Sequence, residues 1–235
     1  MIKEYAVEPA VFASAEHYRY IYESFVSEYG RVIADLPSTW DKKAYQSIKN
    51  SRIRPVERKA MSNCVIRLKN SSTSKRKNID WDSNISWLDN VLKEHGRLPL
   101  NAIIIKKLDS NKDEDIISIE DIGISENPKW QISNTKRIER TPGNIAQCAE
   151  FYLERADRII IVEPYFDPEE GRFMRPLRSF LQILSNRLIE YGIPKVEIHT
   201  GNKSGKSISY FQTKCEDALR NEIPEGYELN FVRWE

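Results

Sequence analysis

Between Asp157 and Trp234 the chain alternates short apolar runs with amphipathic stretches, and this alternation restricts the fold more than any other feature. Arg158–Val162 (RIIIV) is apolar throughout after its first residue, the pattern of a strand covered on both faces of a sheet. Phe173 to Tyr191 then places Leu177, Phe180, Leu181, Leu184 and Leu188 at helical spacing and closes at Gly192. Lys195–Thr200 (KVEIHT) reads as a second strand. Lys206 to Asn221 reads as a second helix, with Ile208, Phe211, Cys215 and Leu219 on one face. Gly226 introduces a third strand, Tyr227 to Arg233, alternating at Leu229, Phe231 and Arg233. Strand–helix–strand–helix–strand at this spacing predicts parallel strands joined by right-handed crossovers. Ligands of such sheets lie outside the carboxyl ends of the strands.

The first hundred residues read as mostly helical. Phe12 to Ile33 carries Tyr18, Ile21, Tyr22, Phe25, Val26 and Tyr29 at mixed three- and four-residue steps. A second helix follows Ser38 with Trp40, Ala44, Tyr45 and Ile48 on one face, and Pro55 suits the first turn of a third. NSSTSKRKN, residues 70–78, is a polar loop; Asp80 or Asp82 then caps a helix through Ile85, Leu88, Val91 and Leu92. Asn101 to Ile105 is a buried strand extending to Leu108. Ile116 to Ile119 and Trp130 to Ile132 are weaker strands of a hairpin or mixed edge. Thr141-Pro142-Gly143-Asn144 opens a further helix. The expected class is α/β: a parallel-stranded sheet with helices on both faces over residues 99–235, preceded by a mostly helical region over 1–98.

Charge names no partner, since 36 Lys+Arg against 35 Asp+Glu leave a net +1. The local distribution is uneven. Ten basic residues and one acid lie between Lys49 and Lys77, and an acidic run follows from Asp109 to Glu126. The basic run suits a phosphate backbone, but a solvated helix face followed by a basic loop explains it more simply. Cys64, Cys148 and Cys215 are far apart and in no paired spacing, which disfavours a zinc site or disulfide framework and points to a reducing compartment. No metal and no cofactor is expected. No apolar run approaches the ~18 residues that span a bilayer, so the expected setting is the cytoplasm, without a membrane partner.

Two strand-end segments carry candidate chemistry. Thr200–Ser207 (TGNKSGKS) lies between a strand and a helix and is close to a P-loop, whose amides and lysine cradle phosphates. Thr200 stands where that pattern needs its first glycine. A basic loop contacting an anion through Lys203 and Lys206 is therefore preferred to a nucleotide-binding switch. Glu163-Pro164-Tyr165-Phe166-Asp167 follows the RIIIV strand. Its two carboxylates and tyrosine suit a metal or a proton transfer; a proline-set turn capped by Asp167 is the plainer reading. His199 and Arg233 end the next two strands at the same edge. His199, Lys203, Lys206 and Arg233 are thus the anion-binding candidates, with Glu163, Tyr165 and Asp167 shaping the cleft.

ERADRIIIVEPYFDP, the long crossover helix, VEIHT, a second helix and LNFVRW together resemble the phospholipase D-like superfamily, specifically small bacterial members found among phage-defence genes. The resemblance covers the last third of the chain. It implies a phosphodiesterase or nuclease-related protein that acts on or binds nucleic acid in defence against phage. In that family this run precedes a catalytic strand carrying His-x-Lys, whose histidine forms a phosphohistidine without metal. None of His17, His95 and His199 begins such a motif. The catalytic strand is expected just beyond Glu235, which makes the domain incomplete at its carboxyl end and leaves no nucleophile to assign. The alternative expectation is a scaffold whose strand edge, Leu229 to Trp234, docks another protein chain or a second copy.

Overall fold

The computed structural model describes residues 2–25, 30–107, 113–122, 127–131, 137–201 and 207–234. The chain divides into two compact units, Met1–Lys136 and Arg137–Glu235.

The first unit is built on strands β1 (Lys3–Val7), β2 (Arg31–Ala34), β3 (Thr73–Ser74), β4 (Ala102–Ile105) and β5 (Ile116–Ser118). They form one sheet in the order β3-β2-β1-β4-β5, and every pairing is parallel. Helices α1 (His17–Ser24), α2 (Trp40–Asn50), α3 (Pro55–Ser71) and α4 (Trp87–Arg97) connect them. Tyr5 and Val7 of β1 enter a core with Phe12, Ile21, Trp40 and Met61. Ala6, pointing the other way, joins Ile103 and Val91 in a second core. Both faces of this sheet are therefore covered by helices, as expected for a parallel sheet.

This corrects the expectation of a helical region over residues 1–98. KEYAV and RVIA are too short to show a period, and burial on both faces removes the polar alternation that marks a half-exposed strand. What read as one helix from Phe12 to Ile33 is a 3-10 turn at Pro9–Ala13, then α1, then β2. The domain boundary moves from 98/99 to 136/137 because β4 and β5 complete the first sheet. β4 and β5 pair in parallel, so no hairpin joins them, and Trp130 lies in a turn. Leu108 and Ile132 lie outside the described residues. Ser86, not Asp80 or Asp82, caps α4, its Oγ accepting from the Asp89 amide at 3.0 Å.

The basic run is largely spent inside this unit. Arg76 is fully buried between Glu4 at 2.7 Å and Glu94 at 3.0 Å. Lys69 donates to Asp35 at 2.6 Å, and Arg67 to the Tyr22 hydroxyl at 3.0 Å.

The second unit follows the expected order: α5 (Pro142–Arg155), β6 (Arg158–Val162), α6 (Gly171–Ser185), β7 (Lys195–Gly201), α7 (Ile208–Leu219) and β8 (Leu229–Trp234). β6, β7 and β8 pair in parallel, with Ile159, Val196 and Leu229 in register. Leu177 and Leu181 of α6, with Phe211 and Leu219 of α7, bury the face that carries Ile159, Val196 and Phe231. The opposite face is bare: Ile160 is 47% exposed, Val162 57% and Trp234 51%. Helices on both faces, expected here, are found only in the first unit. Both crossovers of the second unit run the same way across the sheet, from β6 to β7 to β8, and right-handed crossovers in one direction put their helices on one side.

Candidate functional site

The carboxyl end of β6 is held by backbone contacts that its sequence requires. The Glu163 amide donates to His199 O at 2.9 Å, and the Gly201 amide donates to Pro164 O at 3.1 Å. A Cβ at Gly201 would sit 2.9 Å from that carbonyl oxygen, so residue 201 must be glycine for the turn to close on β7. The first glycine of TGNKSGKS, Gly201, thus has a strand-packing reason. Ser207 begins α7 with its Oγ accepting from the Tyr210 amide at 3.3 Å. Lys203 and Lys206 lie outside the described residues.

The strand-end candidates do not converge on one point. Glu163 Oε1 accepts the Tyr165 amide at 3.1 Å, and Asp167 Oδ1 accepts the Glu169 amide at 3.0 Å. Both carboxylates therefore shape the turn, and Tyr165 is 58% exposed. His199 projects from the bare face, its Nε2 3.2 Å from Glu197 Oε2 and its ring edge-on to Trp234 with centroids 5.3 Å apart. Arg233 projects to the helix face, its guanidinium 5.2 Å from the Phe211 ring centre. Adjacent strand positions point to opposite faces, which is why residues from one edge separate.

Glu197, beside His199, carries the strongest local electrostatics. Lys195 Nζ lies 2.8 Å and Arg158 Nη2 2.7 Å from its carboxylate. Hydrogen bonds from Lys195, Arg158 and His199 hold its pKa down to about 2 from the ordinary 4.5. The folded value lies below the unfolded one, so the bonds stabilise the fold above pH 4.5 and their contribution is lost as pH falls through about 2. Glu197→Gln is expected to remove that part of the acid dependence. Urea unfolding measured from pH 7 to pH 2 should show a flatter stability curve for the variant; an unchanged slope would contradict the assignment.

A different cluster gathers at the strand end, and sequence reading missed it. A cavity of about 680 Å³ opens beside Ile161, Val162 and Glu163 of the β6 end, between the first turns of α5 and α6. Its volume falls in the range of small-ligand sites, ~300–1,000 Å³. Arg140, Arg172 and Arg175 line it, with Phe166, Phe173 and Phe180 supplying much of the apolar wall. Arg172 Nε lies 2.5 Å from Glu170, and its guanidinium lies 4.6 Å from the Phe173 ring centre. Among the described residues Arg140 and Arg175 form no ion pair. Pro142 in the first turn of α5, behind its Thr141 cap, and Arg172 in the first turn of α6 both line the cavity. Unpaired guanidiniums favour an anionic ligand.

No family model, curated protein or solved structure gives a significant match to this chain. The site must therefore be read on its own chemistry. Among the described residues no group of three His, Cys, Asp or Glu side chains is placed to hold a metal ion. No described helix is long and apolar enough to cross a membrane.

One local signal pointed to the cleft. Arg172 and Arg175 are three apart, which places both on one side of a helix. The helix begins at Gly171, two residues before the start read from its leucine spacing, and this puts both arginines in its first turns. Arg140 carries no such signal. It is brought in by α5 packing along α6.

Proposed function

We infer that the second unit binds phosphate groups of nucleic acid in the arginine cleft, as part of a phospholipase D-like, phosphodiesterase-related protein of bacterial defence against phage. The observation that carries the binding is the pair Arg140 and Arg175, without acidic partners among the described residues, beside a ligand-sized cavity. The family reading rests on the sequence resemblance, since parallel β6-β7-β8 is common to many α/β proteins. Hydrolysis would need a histidine from outside the cleft, since none lines it.

The test is binding of fluorescently labelled single-stranded and duplex DNA to the full chain at low and moderate salt. Arg140→Ala with Arg175→Ala is expected to weaken binding ~10–100-fold and to reduce the slope of log affinity against log salt by about two. Absence of binding at low salt, or an unchanged affinity in the double variant, would remove the proposal.

A second reading has its own observation. Beside β8 a groove of about 520 Å³ is lined by Phe211, Cys215, Leu219, Leu229 and Phe231, so the core of this unit reaches the surface along an edge strand. Such an edge accepts a further strand. Light scattering across a concentration series tests the self-association version: rising mass that Phe231→Lys abolishes supports a scaffold, and constant monomer mass opposes it.

A further inference from the structure

We propose that the bare face of the second sheet is a stacking platform for unpaired bases, so that this unit binds single-stranded nucleic acid in preference to duplex; this rests on the nucleic-acid reading above. Strand register fixes what the face carries. Arg158 and Lys195 lie side by side at its amino end, and Ile160, Glu197 and Asn230 follow. Val162, His199 and Val232 form the next row, and Trp234 lies beside Gly201 in the last. Alternate residues of a strand return to the same face, so these side chains share one surface. Parallel sheets ordinarily bury both faces, and this one is open to a partner.

Size and charge choose the occupant. Lys195 to Gly201 spans ~20 Å and three strands span ~14 Å, which gives a face on the order of 300 Å². Each partner of a stable dimer buries ~800 Å², so the face is too small to hold a second copy by itself. Within the three strands its charged groups are Arg158, Lys195 and one acid, Glu197. Both exposed cations share that single carboxylate, which leaves positive charge over for a phosphate backbone. Trp234 supplies the ring. His199 meets it edge-on, yet the residue stays 51% exposed. Any base can stack on such a ring, but only if it is not already stacked and paired within a duplex. The face is also continuous with the arginine cleft, because Val162 lines the cavity and is itself 57% exposed. Val232 lies two strands from Val162, ~10 Å away, and Trp234 ~7 Å further along β8. A strand whose phosphate is held by Arg140 and Arg175 therefore reaches Trp234 within a few nucleotides.

The experiment is anisotropy titration of the full chain with a labelled thymidine oligonucleotide and with a duplex of equal length, repeated with Trp234→Ala and Trp234→Phe. The single strand should bind wild type ~10-fold or more tightly than the duplex. Trp234→Ala should weaken the single strand ~10-fold and leave the duplex within about twofold, whereas Trp234→Phe keeps a ring and should restore most of the loss. Trp234 is the only tryptophan of the second unit. The unlabelled single strand should therefore quench a part of the protein fluorescence that Trp234→Phe lacks. If single strand and duplex bind alike and Trp234→Ala changes neither, the platform is wrong and phosphate binding in the cleft stands. If Trp234→Ala instead lowers the mass seen by light scattering, the face belongs to a second copy and the proposal falls. If neither form of DNA binds at low salt, both readings fall together.

Discussion

Replacing Arg76 with alanine should destabilise the first unit by about 3–5 kcal/mol, the cost typical of breaking a buried ion pair from one side. The Arg76 side chain is 0% exposed, and those of Glu4 and Glu94 are each 4% exposed. The guanidinium also donates to Leu98 O at 2.7 Å, so it ties β1 and α4 to the segment that enters β4. Its removal leaves two carboxylates close together in an interior that solvates them poorly. Glu94 keeps Arg97 at 2.8 Å. Urea denaturation followed by tryptophan fluorescence is the direct measurement, because four of the five tryptophans lie in this unit. The informative companion is the triple change Arg76→Met, Glu4→Leu and Glu94→Leu. Apolar replacement of a whole buried ionic cluster is often neutral or stabilising, so this variant should recover most of the loss. A single variant within about 1 kcal/mol of wild type would show that the cluster is better hydrated than its burial implies.

Arg187→Ala should have a comparable effect on the second unit, about 2–5 kcal/mol, by leaving several buried carbonyls without donors. Arg187 is 7% exposed and donates to Leu153 O at 2.9 Å, Ala156 O at 2.8 Å and Tyr191 O at 2.8 Å. The first two are carbonyls at the end of α5, which a helix cannot satisfy from within. Burial pushes the guanidinium pKa below its ordinary value, but the group remains a cation at any working pH. Arg187→Lys keeps the charge and loses the planar fork, so it should restore only part of the stability. Because α5 forms one wall of the arginine cleft, the alanine variant should also lose the DNA affinity proposed for that cleft near its unfolding midpoint. Thermal melts and DNA binding measured well below the midpoint separate the two effects. A melting temperature unchanged by Arg187→Ala would contradict the capping role.

The second unit was legible from sequence because its signals are local. Leu177, Leu181 and Leu184 repeat at helical spacing, RIIIV and KVEIHT are bounded by turn residues, and Gly192 and Gly226 adopt the positive φ that such turns need. The plainer reading of Asp167 was legible too, since it makes the turn bond that its type favours. In the first unit α2, α3, α4, β4 and β5 were read near where they lie, but β1, β2 and β3 were not legible. Strands of two to five residues buried on both faces, such as RVIA, show neither alternation nor length enough to separate them from helix. Residues at one strand edge were also read as one wall, and that failed at His199 and Arg233, which neighbouring strands send to opposite faces.

The βαβαβ unit was therefore set by sequence alone, through periods of two and 3.6 that need no tertiary partner. Tertiary structure decided which face of that sheet is bare, that Gly201 must admit the Pro164 carbonyl, and that Arg140 joins Arg172 and Arg175 around one cavity. These depend on contacts between residues distant in the chain. Such contacts arise from the direction of the crossovers and the packing of α5 on α6, which no local pattern encodes.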